Sequence, residues 1–240
     1  MQAFRQYLVE TVKTIEWQDA EQCKAVAKNI MDHFSEASGN MSRSILMNGI
    51  YQGLYAGFDT VSDTLQEKGI DGTFLWKALQ DDVSDRYSDK QLVMQLATLT
   101  ILAQEARNYN DVAFRNYKAT HVVDEALVAN AVDCLAKMRP WVSGAPLAQH
   151  PIDPDLGGFC KKIAAGMLAN TFRQLNLEMY HKDEFHVIFM GLFRDFSKSA
   201  TIIQDFGEDL VECAKQLIGQ LDDKSPYKKL YQDYCNSLSR

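Results

Sequence analysis

Apolar residues recur at every third or fourth position along most of the chain, which is the spacing of one face of an α-helix. The first apolar stripe consists of Phe4, Leu8, Val12 and Ile15. A second stripe begins after Asp19, which can cap a helix, and ends at Gly39, since glycine commonly follows a helix terminus. Because no convincing strand pattern interrupts these stripes, the sequence predicts an all-α multi-helix bundle of about nine or ten helices.

Capping residues and glycines set the limits of the other predicted helices. The predicted starts lie at or near Ser42, Thr73, Ser88, Asn110, Thr120, Gly158, Lys182 and Ser225. Ser88 and Gln91 have the spacing of a capping box, and Gly69 closes the helix that begins at Ser42. Asn110 is predicted to cap a short separate turn.

Residues 140–158 interrupt the helical pattern. Four of the five prolines of the chain lie here: Pro140, Pro146, Pro151 and Pro154. Since proline removes a backbone donor and clashes with the preceding turn, this stretch cannot be helical throughout. A long connection in a compact domain is usually functional or a linker. The sequence therefore predicts an N-terminal helical subdomain over residues 1–139, a connecting loop over 140–157 and a C-terminal helical subdomain over 158–240.

Three glycines, Gly49, Gly53 and Gly57, are spaced by four within the predicted third helix. Each should destabilise a helix by about 1 kcal/mol relative to alanine, so three of them require a compensating interaction. One interpretation is tight packing against another helix of the same chain. The alternative is a binding surface for a partner, which would also include Tyr51 and Tyr55.

Aromatic residues mark two further interface candidates. Trp141 lies in the proline-rich segment together with His150, and Tyr231 and Tyr234 lie on the last predicted helix. Aromatic side chains bury a large area at low entropic cost, which favours protein interfaces. Ordinary docking of these residues onto the body of the protein is the alternative interpretation.

The net charge disfavours one class of partner, and the spacing of the cysteines disfavours two kinds of site. The chain of 240 residues has a formal net charge of −7, which disfavours nucleic acid because the phosphate backbone is also negative. The five cysteines are scattered without a CxxC pair, so neither a disulfide framework nor a zinc site is indicated. No run approaches the ~18 apolar residues of a membrane span, and the N-terminus lacks the apolar run of a signal peptide. These features predict a soluble protein of the cytoplasm.

The sequence contains no recognisable nucleophile elbow, phosphate-binding loop or dinucleotide-binding glycine motif. Glu178 precedes His181 by three residues, and Asp183 precedes His186 by three, as in the metal-binding pairs of di-iron and di-manganese bundles. The two pairs are offset by five residues, about 140 degrees around a helix, so they could not face one metal ion. We therefore predict no catalytic residue, no metal site and no cofactor.

Two functions remain open on these observations. The first is a non-enzymatic adaptor or accessory subunit of a cytoplasmic assembly, which binds a protein partner through the glycine face or the segment around Trp141. The second is a helical-bundle enzyme or a protein that binds a small ligand or metal between its helices. In size, negative charge and helix content, the chain resembles the small, acidic, all-helical accessory and adaptor proteins of bacterial type IV secretion coupling complexes. The resemblance implies docking onto a coupling ATPase complex and handling of secreted substrates, and it assigns no residues.

Overall fold

The computed structural model describes residues 2–39, 51–86, 92–143 and 154–238. Within these ranges the chain forms ten α-helices and no strand, which confirms the predicted all-α multi-helix fold. The helices are α1 (Gln2–Thr11), α2 (Ala20–Gly39), α3 (Ala56–Lys68), α4 (Thr73–Arg86), α5 (Leu92–Thr120), α6 (Glu125–Ser143), α7 (Pro154–Arg173), α8 (Asp183–Phe196), α9 (Ala200–Gln220) and α10 (Pro226–Leu238). A π-helical segment, Tyr51–Tyr55, leads directly into α3.

Local sequence signals set several helix ends. The backbone amides of Glu21 and Gln22 each donate to the Asp19 carboxylate at 3.0 Å, so Asp19 caps α2 as predicted. Gly69 follows α3 with a φ of 65°, a left-handed conformation that a side chain disfavours. These ends confirm the predicted limits at Asp19 and Gly69.

The helix α5 differs from the prediction because it continues without interruption through Asn110. Asparagine often caps helices, which is why the sequence suggested a new turn there. In the structure the Asn110 side chain is fully buried, and its Oδ1 accepts hydrogen bonds from the Asn176 amide at 2.9 Å and the Tyr180 hydroxyl at 3.1 Å. The predicted cap at Asn110 is therefore wrong, since its side chain binds another part of the fold.

The predicted proline-rich loop is helical at both of its ends. Helix α6 passes through Pro140 to Ser143, and Pro154 begins α7 four residues before the predicted start at Gly158. Pro140 is exposed and near the end of its helix, so it removes one backbone hydrogen bond without disturbing the interior. Pro154 occupies the first helical position, where the amide would have no partner in any case.

Helix α5 lies at the centre of the bundle, where it packs against α3, α4, α6 and α7. Helix α2 covers α4, α8 packs on α6 and α10, and α9 packs against α7 and α10. Buried apolar residues on both sides of the predicted subdomain boundary, such as Leu135 and Leu168, belong to one continuous core. Side chains on α5 therefore have neighbours in both halves of the chain.

Candidate binding groove

The middle of α5 carries a run of polar side chains that the bundle buries. They are Gln104, Glu105, Arg107, Asn108, Asn110 and Asp111. A buried polar group without a partner is destabilising, so such groups are normally hydrogen-bonded. Because successive residues of a helix point in different directions, these side chains reach different neighbours of α5.

Arg107 holds α5 to α3 through acidic side chains. Its guanidinium donates to the Asp59 carboxylate at 3.0 Å and to the Asp63 carboxylate at 2.5 Å, and it lies 3.8 Å from Asp111 on its own helix. Gln66 accepts a further hydrogen bond from it at 3.1 Å. One buried cation therefore joins three carboxylates and fixes α3 against the central helix.

The two asparagines bind segments between helices. Asn108 Oδ1 accepts from the Gly72 amide at 2.8 Å, just before α4 begins. A Cβ atom at Gly72 would lie 2.7 Å from a Leu65 methyl carbon, so glycine is needed for this close approach. Asn110 binds the connection between α7 and α8 through Asn176, as described above.

Glu105 lies beside an open groove of the surface. Its carboxylate accepts a hydrogen bond from the Tyr109 hydroxyl at 2.9 Å. Burial raises the pKa of Glu105 above its ordinary value, against the opposing effects of the Tyr109 hydrogen bond and of Lys137 and Lys77. Burial and the Glu105 charge likewise raise the pKa of Tyr109, so the hydroxyl keeps its proton.

Glu105 borders a groove between α4, α5 and α6 with a volume of about 500 Å³, which we call the Trp141 groove. Its lining consists of Lys77, Gln80, Asp81, Thr98, Leu102, Glu105, Lys137 and Trp141. Glu105 and Trp141 are only 8% and 9% exposed, so they form the inner wall, whereas Lys77, Asp81 and Lys137 are exposed at the rim. The groove thus combines a buried acid, an indole ring and charged side chains around the opening.

This lining can hold a group with an apolar body and a polar end. The Trp141 ring and Leu102 offer apolar contact, and Glu105 can accept a hydrogen bond or, when protonated, donate one. Lys77 can bind an acidic group at the rim, where Lys137 also lies and pairs with Asp133 at 2.7 Å. A buried carboxyl with a raised pKa in an open groove is a common property of functional sites.

Of the glycine face predicted from the sequence, the described part packs inside the chain. Gly53 is buried, and a Cβ atom at Gly57 would lie 2.7 Å from a Leu8 methyl carbon of α1. The Tyr55 side chain is buried, and its hydroxyl accepts a hydrogen bond from Asn170 at 2.7 Å. These contacts favour internal packing, and an interface role for this face stays a prediction. Gly49 and His150 lie outside the described residues, as does the side chain of Tyr51.

The two tyrosines of the last helix also pack within the chain. Tyr231 is fully buried, and its hydroxyl lies 2.8 Å from Nδ1 of His186 on α8. Tyr234 is 7% exposed and its ring centroid lies 4.6 Å from that of Phe193. Both residues attach α10 to α8, which agrees with the docking interpretation. Among the interface candidates, Trp141 lines the groove between α4, α5 and α6, and Tyr55 borders another groove beside Asn170.

The predicted carboxylate–histidine pairs do not come together. His186 is fully buried among aromatic rings, whereas His181 is exposed and its Nε2 lies 3.7 Å from Glu125. Within the described ranges, no group of three or more histidine, cysteine or acidic side chains is arranged to hold a metal ion.

No protein-family profile, curated protein or solved structure matches the chain. None of the helices in the described ranges has both the length and the apolar character that crossing a membrane requires.

Sequence reasoning found Trp141 but missed the residues that surround it. Lys77, Glu105 and Lys137 belong to three different helices, and nothing in their local spacing indicates that they meet. The available signal was the polar run around Glu105, which follows a mostly apolar stretch of the same helix. Such a run suggests that the helix is central and that its polar side chains have specific partners.

Proposed function

We propose that this protein is a non-enzymatic adaptor that binds a segment of a partner protein in the Trp141 groove. The observation that carries the proposal is the shared position of Trp141 and Glu105 on the inner wall of one open groove. The occupant that fits is a segment with an aromatic or aliphatic side chain next to a hydrogen-bond donor. The apolar side chain would contact Trp141, and the donor would reach Glu105.

The energetics of protein interfaces support this choice of occupant. Tryptophan residues in partly closed pockets carry much of the binding energy at interfaces, while the surrounding contacts mainly exclude water. The rim contains two basic side chains, Lys77 and Lys137, and the acidic Asp81, so it can select partners by charge. An acidic residue beside the apolar anchor of the partner would bind Lys77.

The assembly that we propose is cytoplasmic. The likeness in size, charge and helix content to adaptor proteins of type IV secretion coupling complexes supports a secretion-associated partner. Co-purification of a coupling ATPase with the tagged chain is the expected result for that refinement. Co-purification of a different stable partner would support the adaptor function and contradict a secretion-associated partner.

Charge reversal at the rim tests the docking position without disturbing the core. We expect Lys77→Glu combined with Lys137→Glu to abolish co-purification of the native partner, because both side chains are exposed and border the groove. Lys215→Glu combined with Lys229→Glu is the matched control, since it makes the same change in net charge at exposed positions outside this lining.

The outcomes test the docking position in the Trp141 groove and the adaptor function separately. Loss of the partner with the groove variant and its retention with the control would support the proposal. Equal retention by both variants would show that the partner binds elsewhere. If the tagged chain from its native cell carries no stoichiometric partner, the adaptor function is wrong.

A small-molecule carrier is the second candidate, and the buried Glu105 carboxyl with its raised pKa favours it. Native mass spectrometry of the purified chain distinguishes the two functions. A carrier is expected to retain a compound of constant mass, and Glu105→Gln should release it because the substitution keeps the shape and removes the charge. An unliganded mass for the native-source protein would contradict the carrier function.

A further inference from the structure

A second groove, distinct from the Trp141 groove, collects lysine side chains. Its volume is about 280 Å³, and its lining includes Lys161 and Lys162 from α7 and Lys198 from the connection between α8 and α9. All three lysines are exposed, and none of them has an ion-pair partner among the described residues. We call this site the basic groove.

One acidic residue, Asp195, belongs to the lining of the basic groove, but arginines already compensate its charge. Its Oδ2 accepts from Arg139 Nε at 2.6 Å, and its Oδ1 lies 3.6 Å from Arg194 Nε. The Arg139 guanidinium is held over Gly191, where a Cβ atom would lie within 2.9 Å of three of its atoms. Asp195 therefore does not neutralise the lysines.

The positive charge of the basic groove contrasts with the net negative charge of the chain. The protein has a formal net charge of −7, so randomly placed lysines would have acidic neighbours. Among the described residues, the lining of the basic groove contains three lysines without an ion-pair partner and one aspartate, Asp195, which pairs with arginines. Ser199 also lines the groove and precedes the 21-residue helix α9, whose first amides add to the positive potential without defining a site themselves.

We propose that the basic groove binds a small, water-soluble ligand with two adjacent phosphate groups. Lysine is a common ligand for phosphate because its ammonium group is a compact charge with three donors. Three lysines on two elements can contact both phosphates of one diphosphate group, whereas a single phosphate would leave part of the charge unmatched. The volume corresponds to about nine water molecules at about 30 Å³ each, which is enough for a diphosphate group.

A long polyanion fits this protein less well than a small one. The net charge of −7 repels an extended phosphate backbone outside the groove. A compact diphosphate remains inside the local positive region, since other charges of the protein are screened beyond about 8 Å at physiological ionic strength. The chemistry of the site therefore points to a small ligand rather than nucleic acid.

Calorimetric titration with inorganic pyrophosphate tests this assignment. The full chain is expected to bind one pyrophosphate per molecule with saturation, and sulfate at the same ionic strength is expected to compete weakly. The groove variant replaces Lys161, Lys162 and Lys198 with glutamine. It should bind about tenfold or more weakly, since each contact between unit charges contributes a factor of about five even in water.

The matched control replaces three exposed lysines outside the basic groove, Lys118, Lys215 and Lys229, with glutamine and so makes the same change in net charge. Retained binding by this control, with loss in the groove variant, would support the proposal. Equal weakening of both variants would show a general charge effect and overturn it. Absence of saturable binding by the unmodified chain, or full binding by the groove variant, would overturn it as well. Thermal unfolding of both variants establishes that the comparison is between folded proteins.

Discussion

Replacement of Arg107 by methionine is expected to destabilise the fold, because three carboxylates lose the cation with which they pair. The Arg107 side chain is 8% exposed and contacts Asp59, Asp63 and Asp111. Methionine has a similar length and no charge, so the substitution removes the cation while it keeps most of the packing. The change therefore isolates the electrostatic role of Arg107.

The exposure of each carboxylate determines the size of the effect. Removal of one partner from a buried ion pair destabilises a protein by about 3–5 kcal/mol. Asp63 is 56% exposed and Asp59 is 34% exposed, so water can replace much of their lost interaction, whereas Asp111 is 10% exposed. We therefore expect a loss near the lower limit, about 3 kcal/mol, out of a total stability of about 5–15 kcal/mol.

Urea unfolding followed by circular dichroism at 222 nm measures this loss. With a denaturant slope of about 3 kcal/mol/M, the unfolding midpoint should fall by about 1 M. Arg173→Met is the matched control, because Arg173 pairs with Asp209 at 3.3 Å while both side chains are more than 40% exposed. An exposed pair contributes about 0–1 kcal/mol, so the control should shift the midpoint much less.

The pH dependence of the Arg107→Met loss provides a second test. Burial raises the pKa of Asp111, and Arg107 is the largest of the groups that oppose this. Without Arg107 the pKa should rise further, so the folded variant binds a proton more readily than the unfolded chain and gains stability as the pH falls. The deficit should therefore be smaller at pH 5 than at pH 7. Equal losses for Arg107→Met and the control, or a deficit that does not depend on pH, would refute the reasoning.

Three further predictions concern buried contacts elsewhere in the bundle. Burial lowers the pKa of His186, so the unfolded chain binds the proton more readily than the folded protein does. Stability should therefore fall as the pH drops below 6.5. Urea titrations at several pH values should show a weaker pH dependence for His186→Phe. Asn110→Leu should cost about 1–3 kcal/mol for each donor that it leaves unpaired, and denaturant unfolding should show a smaller loss for Tyr180→Phe, which removes one of those bonds. Gly57→Leu should lower the thermal midpoint through overpacking against Leu8, worth about 1–3 kcal/mol, and an unchanged midpoint would contradict the observed close approach.

The helices and most of the core could be predicted because both depend on local spacing. The predicted stripe Phe4, Leu8, Val12 and Ile15 is buried at all four positions, although α1 ends at Thr11, so that Val12 lies in a 3-10 turn and Ile15 in an extended conformation. The positions of Phe4 and Leu8 follow from the helical period, which is the same wherever the helix packs. Helix ends with a local cause, such as the cap at Asp19, were predictable for the same reason.

The candidate site could be predicted only in part, because its geometry depends on how distant helices cross. Trp141 was recognised as an interface candidate, although in a loop rather than on α6. The polar run around Glu105 indicates a central helix, but it does not indicate which distant helices border that residue. Lys77 has no local pattern that distinguishes it from an ordinary surface charge. Asn110 was misassigned because its partners are 66 and 70 residues away, beyond the reach of any capping rule.

The polar contacts of α5 also define where this helix can sit along its own axis. Apolar contacts are non-directional, so by themselves they specify the position of a helix along its axis less sharply than hydrogen bonds do. A slide of one residue along α5, about 1.5 Å with a rotation of about 100 degrees, would separate Arg107 from Asp59 and Asn110 from Tyr180 in the same movement. These contacts consequently define one alignment of the central helix relative to α3 and to the start of α4, and α4 and α5 are two of the walls of the Trp141 groove.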